Sequence, residues 1–182
     1  MSLDWKASRS GGLHGTYTVP GDKSISHRAI MLAALAEGES RIEGFLEGED
    51  TRATAKIFSQ LGVRIETPDA HTRIVHGVGL HGLKASAEAL DCGNAGTGMR
   101  LLTGLLSAQA FDSVLVGDAS LSKRPMARVI RLLEAMGAHI DARDGNFAPL
   151  RIHGGRVLQG QSVDTQVASA QVKSALIFTA LY

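Results

Sequence analysis

The feature that most constrains the fold is a run of eight consecutive apolar residues, 29–36, in a segment that predicts a helix over 25–36. A helix that is apolar on all sides belongs in a protein interior. Segments 63–66 and 73–76 instead alternate apolar and charged residues, which is typical of strands with one solvated face. The sequence therefore predicts an inside-out α/β (α+β) fold with buried helices and solvated sheets, not a central sheet covered by helices.

The pattern recurs along the chain. A second largely apolar helix is predicted over 94–110, where Arg100 takes the position that Arg28 has in the first helix. Gly62 and Gly137 end the next predicted helices at a similar spacing, and Lys173 marks a third start. Any α/β protein shows some self-similarity, but the similar spacings favour a repeated β-α-β-α-β-β unit, at about 21–90 and 91–155 and begun again from 156.

Composition excludes several classes of protein and site. Lys plus Arg number 19 and Asp plus Glu number 18, so a nucleic-acid partner bound through a basic surface is not expected. The single cysteine, Cys92, excludes an intrachain disulfide and a cysteine-rich zinc site, and the seven histidines show no metal-ligand spacing. No apolar run approaches a membrane span, and no apolar signal core opens the chain, so a cytoplasmic location is expected.

Each predicted buried helix begins with small or polar residues and a basic residue. These starts lie at 21–28, 93–100 and 169–173. Helix N-termini carry unpaired N–H groups and a positive dipole end, so they bind anions. Ser24, Thr97 and Ser169 would add hydroxyl groups, and Lys23 and Arg28 would add charge. If the starts meet, they form a pocket for a substrate with several anionic groups; the alternative is that these residues are only caps and turns.

Other polar residues near these starts have separate interpretations. Arg124 precedes a helix predicted over 125–136, with Pro125 as its first residue, and can clamp a phosphate or carboxylate with two N–H groups. Asp50 is the predicted N-cap of a helix over 51–61. His27 is expected to pack or cap. Cys92 has no visible activator and is expected to be a small buried residue.

Four blocks of the sequence together resemble the EPSP synthase family, the 3-phosphoshikimate 1-carboxyvinyltransferases. They are GDKSISHR at 21–28, GNAGTGMR at 93–100, GDASLSKRPM at 117–126 and ASAQVKSA at 168–175, in the family's order. The resemblance implies transfer of the enolpyruvyl group of phosphoenolpyruvate to the 5-hydroxyl of shikimate 3-phosphate, with no metal or organic cofactor. It also implies a monomer of two domains, each an inside-out α/β barrel of three β-α-β-α-β-β units around buried parallel helices.

The resemblance assigns site residues by motif position. The expected contacts to shikimate 3-phosphate are Lys23, Ser24, Arg28, Ser169, Ala170 and Gln171. Those expected to contact phosphoenolpyruvate are Lys23, Gly96, Arg124 and Gln171. Lys23 and Arg124 are the expected catalytic residues, since they would neutralise charge as the intermediate forms. Asn94 and Thr97 are expected to shape the loop, and Ala170 stands where many members have a second serine, so only its backbone would contribute.

The same resemblance implies that the chain supplies only part of an active site. Residues 1–20, with a predicted strand at 16–19, are assigned to a second domain that the chain lacks, and 21–182 to an incomplete first domain. The isolated chain is therefore expected to be inactive, and a non-catalytic substrate-binding fragment is the alternative function. A UDP-sugar enolpyruvyl transferase is a further alternative, but that family has asparagine after the early lysine and a reactive loop cysteine. Here Ser24 follows Lys23, and Cys92 precedes the glycine block.

Overall fold

A computed structural model describes residues 4–9, 11–12, 14–165 and 168–182. The helices in this part of the chain are α1 (Lys23–Leu35), α2 (Glu49–Gln60), α3 (Gly96–Ser107), α4 (Ala127–Ala135) and α5 (Ala170–Thr179). The strands are β1 (Glu37–Ile42), β2 (Arg64–Asp69), β3 (Thr72–Val78), β4 (Leu90–Asp91), β5 (Ser113–Val116), β6 (His139–Arg143) and β7 (Phe147–His153). A short 3-10 turn covers Leu121–Lys123.

The two sheets share one topology. The first has the order β1-β3-β2 and the second β4-β5-β7-β6. The antiparallel set β1-β3-β2 corresponds to β5-β7-β6, and β4 adds to the second sheet in parallel with β5. The second half thus contains the full predicted unit, β4-α3-β5-α4-β6-β7, and the first half the same order without an opening strand. The unit boundaries at 21–90, 91–155 and 156 stay predictions.

The sequence predicts helices in the interior, and α3 confirms this, whereas α1 leaves Ile25 and Leu32 exposed and α5 leaves Ile177 exposed. Ten of the twelve residues of α3 are buried, including Leu101, Leu102, Leu105 and Leu106. The last strand, β7, instead alternates buried and more exposed residues along its length, so one face of its sheet meets solvent. Buried helices and half-solvated sheets together make the predicted inside-out α/β arrangement.

Helices α3 and α5 run parallel with their starts at the same end. Near the starts, Gln171 Nε2 donates to Thr97 Oγ1 at 2.9 Å, and near the ends, Thr179 Oγ1 donates to Gly104 O at 2.9 Å. A Cβ built on Gly104 would lie 2.2 Å from the carbonyl oxygen of Ala175, so only glycine allows this approach. The close packing therefore brings the two helix starts together.

Helix ends follow the sequence more closely than helix starts. Gly62 and Gly137, both at positive φ, stop α2 and α4 as predicted. Asp50 as the cap of α2 is wrong, because the helix begins after Gly48, whose N–H donates to Thr51 Oγ1 at 3.1 Å. Pro125 as the first residue of α4 is also wrong.

The start of α4 is set by a residue from another element. Asn146, between β6 and β7, accepts the N–H groups of Met126 at 3.0 Å and Ala127 at 2.7 Å through its Oδ1. These are donors that the first turn of a helix leaves unpaired. The helix therefore begins at Ala127, just beyond the proline.

The strand predicted at 16–19 is not formed in this structure. The segment is exposed irregular chain, and no strand in the described part of the molecule lies beside it to complete its backbone hydrogen bonds. Its assignment to another domain stays a prediction, and residues 1–3, 10 and 13 of the leading segment lie outside the described residues. None of the helices described has the length and apolar character needed to cross a membrane.

Candidate functional site

The starts of the three buried helices meet at one place. Gln171 of α5 contacts Thr97 of α3, and Arg28 of α1 donates to the hydroxyl of Ser174 of α5 through Nη2 at 2.8 Å. Helix α1 also meets α3, where a Cβ built on Gly98 would lie 3.5 Å from Cε1 of His27. All of these residues lie in the first two turns of their helices. The structure therefore brings together the three helix starts that the sequence suggested as anion-binding, and their guanidinium, ammonium, hydroxyl and amide groups are of the kind that bind anions.

Arg28 is fixed between α1 and α5. Its Nε lies 3.1 Å from Ser174 Oγ, and its Nη1 donates to the backbone oxygen of Ser24 at 3.0 Å. A guanidinium has five N–H donors, so these contacts orient the group and leave donors for an anion. The contribution of Ser24 that the structure shows is thus its carbonyl oxygen, which holds Arg28 in place.

Lys23 is the first residue of α1. Asp22 caps the helix by accepting the N–H of Ile25 at 2.7 Å. Lys23 Nζ lies 2.8 Å from Asp50 Oδ2, and its side chain is 53% exposed. Asp50, expected as a helix cap, instead directs this ammonium group from the first turn of α2. Because an ammonium has three donors, Lys23 can keep this contact while it binds an anion.

Arg124 is positioned by the glycine loop before α3. Its Nη1 donates to Asn94 O at 3.4 Å, and its Nη2 donates to Asn94 Oδ1. Asn94 in turn donates to Asp118 Oδ2 at 2.7 Å. The backbone N–H of Leu121 and the amide of Asn94 lower the pKa of Asp118, which keeps this carboxyl charged. Asn94 therefore couples a fixed carboxylate to the orientation of Arg124.

Gly96 separates two guanidinium groups. A Cβ built on Gly96 would lie 3.1 Å from Arg124 Nη1 and 3.2 Å from Arg100 Nη1. Burial lowers the pKa of Arg100, and the positive charges of Arg124 and Arg128 lower it further. These like charges in a half-buried place favour the arrival of an anion, which would relieve their repulsion.

The sequence did not predict Arg100 as a site residue, and the residue was noted only as the repeat equivalent of Arg28. Its Nη1 donates to Gln171 Oε1 at 3.0 Å and its Nη2 to Pro125 O at 2.9 Å. The available signal was its alignment with Arg28 in the first repeat. Asp118 and Ser174 were also missed, and no local pattern marks them as positioning residues.

At the start of α5, Ser169 caps the helix and Gln171 links it to α3. Ser169 is the N-cap and accepts the N–H of Val172 through Oγ at 3.4 Å. Ala170 is the first residue of the helix and is exposed, so its backbone is the part that can contact a ligand. Gln171 accepts from Arg100 and donates to Thr97, so both ends of its amide are held by α3.

His27 is buried, as expected of a packing residue. Its Nδ1 lies 2.8 Å from Thr54 Oγ1, and its Nε2 has no hydrogen-bond partner among the described residues. A Cβ built on Gly98 of α3 would lie 3.5 Å from its Cε1. Burial lowers the pKa of His27 to about 4; Asp50 opposes this shift and Lys23 adds to it. The imidazole is therefore neutral at pH 7.

Cys92 lies inside the protein beside the glycine loop. Its side chain is 1% exposed, and burial raises the pKa of the thiol, with a smaller contribution from Asp91. A reactive cysteine needs an accessible thiolate. Cys92 is thus the small buried residue that the sequence predicted.

Comparison with known proteins identifies the family of the chain. A family model described as EPSP synthase (3-phosphoshikimate 1-carboxyvinyltransferase) matches residues 8–182. The 3-phosphoshikimate 1-carboxyvinyltransferase of Xanthomonas campestris pv. campestris strain B100 is 65% identical over 178 residues, 98% of this chain and 41% of the relative. The 3-phosphoshikimate 1-carboxyvinyltransferase of Xylella fastidiosa strain Temecula1 is also 65% identical over 178 residues. The match covers 98% of this chain and 39% of that relative.

Solved structures resemble the fold. An EPSP synthase from Acinetobacter baumannii superposes with a TM-score of 0.89 at 55% sequence identity, covering 92% of this chain and 38% of that one. The chain thus spans about two fifths of the relatives it matches. The matching segment includes all three helix starts and the residues that hold them together, and the chain belongs to the EPSP synthase family.

Proposed function

We propose that this chain supplies one part of the substrate site of a 3-phosphoshikimate 1-carboxyvinyltransferase. The observation that carries the proposal is the meeting of three helix starts, with Arg28 and Gln171 linking them. Two anionic substrates need cations and N–H groups directed at one place, and helix starts with arginines provide both.

Shikimate 3-phosphate would bind between α1 and α5. The contacts proposed for it are Lys23, Ser24, Arg28, Ser169, Ala170 and Gln171. Arg28 supports this assignment, because Ser174 holds its guanidinium on α5 while Ser24 holds it on α1. A phosphate at this place would meet a guanidinium already oriented, so little side-chain freedom would be lost on binding.

Phosphoenolpyruvate would bind beside the glycine loop. The contacts proposed for it are Lys23, Gly96, Arg124 and Gln171, with Asn94 and Thr97 shaping the loop. Gly96 supports the assignment because its lack of a side chain leaves Arg124 and Arg100 facing one space. Asn94 and Asp118 hold Arg124 rigidly, as stabilisation of developing charge requires.

The proposed reaction is addition followed by elimination. The 5-hydroxyl oxygen bonds to C2 of phosphoenolpyruvate, and its proton is lost as the methylene carbon gains one. Expulsion of phosphate and loss of a proton from the new methyl group then restore the double bond. Lys23 and Arg124 would neutralise phosphate and carboxylate charge during these steps, and no metal or organic cofactor takes part. The groups that move the protons are proposed to lie in the part of the family's length that this chain does not span.

A substrate-binding role without turnover is the second candidate for the isolated chain. It is favoured by the chain's coverage of 41% of a curated relative. A UDP-sugar enolpyruvyl transferase is disfavoured because Cys92 is buried and Ser24 follows Lys23. We further propose that the whole enzyme is a cytoplasmic monomer.

Calorimetric titration with shikimate 3-phosphate tests the binding site. We expect Lys23→Ala and Arg28→Ala to weaken binding at least tenfold, about 1.4 kcal/mol. Lys84→Ala and Arg41→Ala, which remove charges outside the site, should leave the dissociation constant unchanged. Equal affinity in the two pairs would overturn the assignment.

A chimera tests the reaction. The matching 178 residues of the Xanthomonas campestris relative can be replaced by those of this chain, and product formation from phosphoenolpyruvate and shikimate 3-phosphate then measured. We expect turnover by the chimera, at least a hundredfold loss in its Lys23→Ala form, and none by the isolated chain. A correctly folded chimera without turnover would contradict the proposed activity, and turnover by the isolated chain would contradict the division of the site.

A further inference from the structure

Two histidines and a carboxylate meet on the exposed face of the second sheet, in a part of the fold that the proposed reaction does not use. Asp141 Oδ2 lies 2.8 Å from His153 Nε2, and Asp141 Oδ1 lies 3.5 Å from His139 Nε2. One ligand atom from each of the three residues falls within 4.8 Å of the others. We propose that this cluster binds a divalent transition-metal ion such as Zn²⁺.

Strand register creates the cluster. His139 of β6 pairs directly with His153 of β7, and their rings stack with centroids 4.4 Å apart. Asp141 stands two positions further along β6, so its side chain lies on the same face. The histidines come from different strands and are well separated in the sequence, which is why their spacing gave no sign of a metal site.

The separations suit a small metal ion. Tetrahedral zinc with bonds of about 2.0–2.1 Å places its ligand atoms roughly 3.3 Å apart. The two oxygen–nitrogen distances, 2.8 Å from Oδ2 and 3.5 Å from Oδ1 of Asp141, lie on either side of that value, so a small rotation of the carboxylate would bring one oxygen near both imidazoles. Imidazole suits zinc, nickel and copper, whereas magnesium and calcium prefer all-oxygen sites. Two imidazoles, one carboxylate and a water molecule would complete four-coordination.

A second carboxylate supports His153 from behind. Asp112 Oδ2 lies 3.7 Å from His153 Nδ1, and Asp112 Oδ1 accepts the N–H of Gly154 at 3.0 Å. A metal-bound histidine usually directs its other ring nitrogen at a carboxylate, and Asp112 lies on that side of His153, at a distance longer than a hydrogen bond.

Arg156 opposes metal binding. Its Nη2 lies 3.1 Å from His139 Nδ1. A guanidinium can only donate, so this contact favours the imidazole proton on Nε2, the atom that would bind the metal. Arg156 is exposed and free to move away. Its removal should therefore strengthen binding, which is the opposite of the effect of removing a ligand.

The first sheet contains a matched control. His76 of β3 lies 2.8 Å from Glu66 and pairs with Glu39 and Arg64. By repeat position, Glu66 corresponds to Asp141, Glu39 to Asp112, and Arg64 to His139. The first sheet thus has a histidine between two carboxylates, as the second sheet does, but the guanidinium of Arg64 replaces the second imidazole.

Calorimetric titration of the full chain with ZnCl₂ tests the proposal. We expect one ion per chain, no binding of Mg²⁺, and at least tenfold weaker binding in His139→Gln, His153→Gln and Asp141→Asn. His76→Gln should leave the dissociation constant unchanged, and Arg156→Ala should lower it. No Zn²⁺ binding, or equal affinity in the ligand variants and the His76→Gln control, would overturn the proposal.

A second measurement does not depend on variants. Paramagnetic Co²⁺ added to the unaltered chain should broaden the NMR signals of the His139 and His153 imidazoles first, before those of His76. Broadening spread evenly over the exposed histidines would show unspecific binding and refute the site.

Discussion

Gly96 lies directly against the guanidinium of Arg124. A Cβ built at this glycine would lie 3.1 Å from Nη1 of the arginine, closer than a relaxed contact allows. Arg124 is meanwhile held by Asn94, which Asp118 fixes in turn. The position of the guanidinium thus depends on the absence of a side chain at Gly96 and on the hydrogen bonds that join Arg124 to Asn94 and Asn94 to Asp118.

Gly96→Ala should therefore weaken binding of phosphoenolpyruvate about three- to tenfold, roughly 0.7–1.4 kcal/mol, because the methyl group displaces Arg124 and Arg100. Titration calorimetry measures the affinity. Gly160→Ala is the control, since nothing lies within 4 Å of a Cβ built there. If Gly96→Ala bound the ligand as tightly as the control, Gly96 would not set the position of the arginines.

Ser174→Ala should weaken binding of shikimate 3-phosphate about three- to tenfold, roughly 0.7–1.4 kcal/mol. The serine hydroxyl accepts two N–H groups of Arg28, at 3.1 and 2.8 Å, and its loss frees the guanidinium to move. Ser162→Ala, an exposed change outside the helix starts, is the control. Because Ser174 acts through Arg28, the Arg28→Ala and double variants should bind alike; a further loss in the double variant would place Ser174 in direct contact with the ligand.

Stability should fall as the pH falls from about 6.5 to about 4. Burial lowers the pKa of His27 to about 4, below its ordinary 6.5. Between these two pH values the imidazole is protonated in the unfolded chain but stays neutral in the folded chain, so lowering the pH favours unfolding. The loss is on the order of 3 kcal/mol across the window. Urea unfolding at several pH values should show a steeper dependence for the unaltered protein than for His27→Gln. His14→Gln, at an exposed position, should keep the full slope, and an equal slope in all three proteins would contradict a buried neutral His27.

Gly104→Ala should destabilise the fold by about 1–3 kcal/mol. The new Cβ would lie 2.2 Å from the carbonyl oxygen of Ala175, a backbone atom, so α3 and α5 must separate. Thermal and urea unfolding measure the loss, with Gly160→Ala as the control for the change from glycine to alanine. Stability equal to that control would mean that the helices can adjust without cost.

Local sequence patterns predicted most of the secondary structure. The apolar run at 29–36 predicted a helix buried on all sides, and α1 is buried along most of this run but leaves Leu32 52% exposed. Gly62 and Gly137 end their helices because the backbone there is left-handed, and glycine adopts that conformation without strain. The short strand β4 was missed, since it is defined only by its pairing with β5.

The helix starts show where local patterns fail. The sequence placed the start of α4 at Pro125, but the start is capped by Asn146, which follows the helix in the chain. It also marked Arg124 as a cation without showing that Asn94 orients it. These partners are distant in the chain, and periodicity tells which face of an element is buried but not which residue lies opposite.

The sequence by itself determined the alternation of buried helices and half-solvated strands, their repetition, and the motifs that place the chain in its family. Only the tertiary structure decided which polar groups meet: Lys23 with Asp50, Arg100 with Gln171, and His139 with His153. The physical reason is range. Apolar periodicity and backbone preferences are set by residues a few positions apart in the chain, whereas hydrogen bonds and charge pairs depend on the register and packing of elements that only the complete fold brings together.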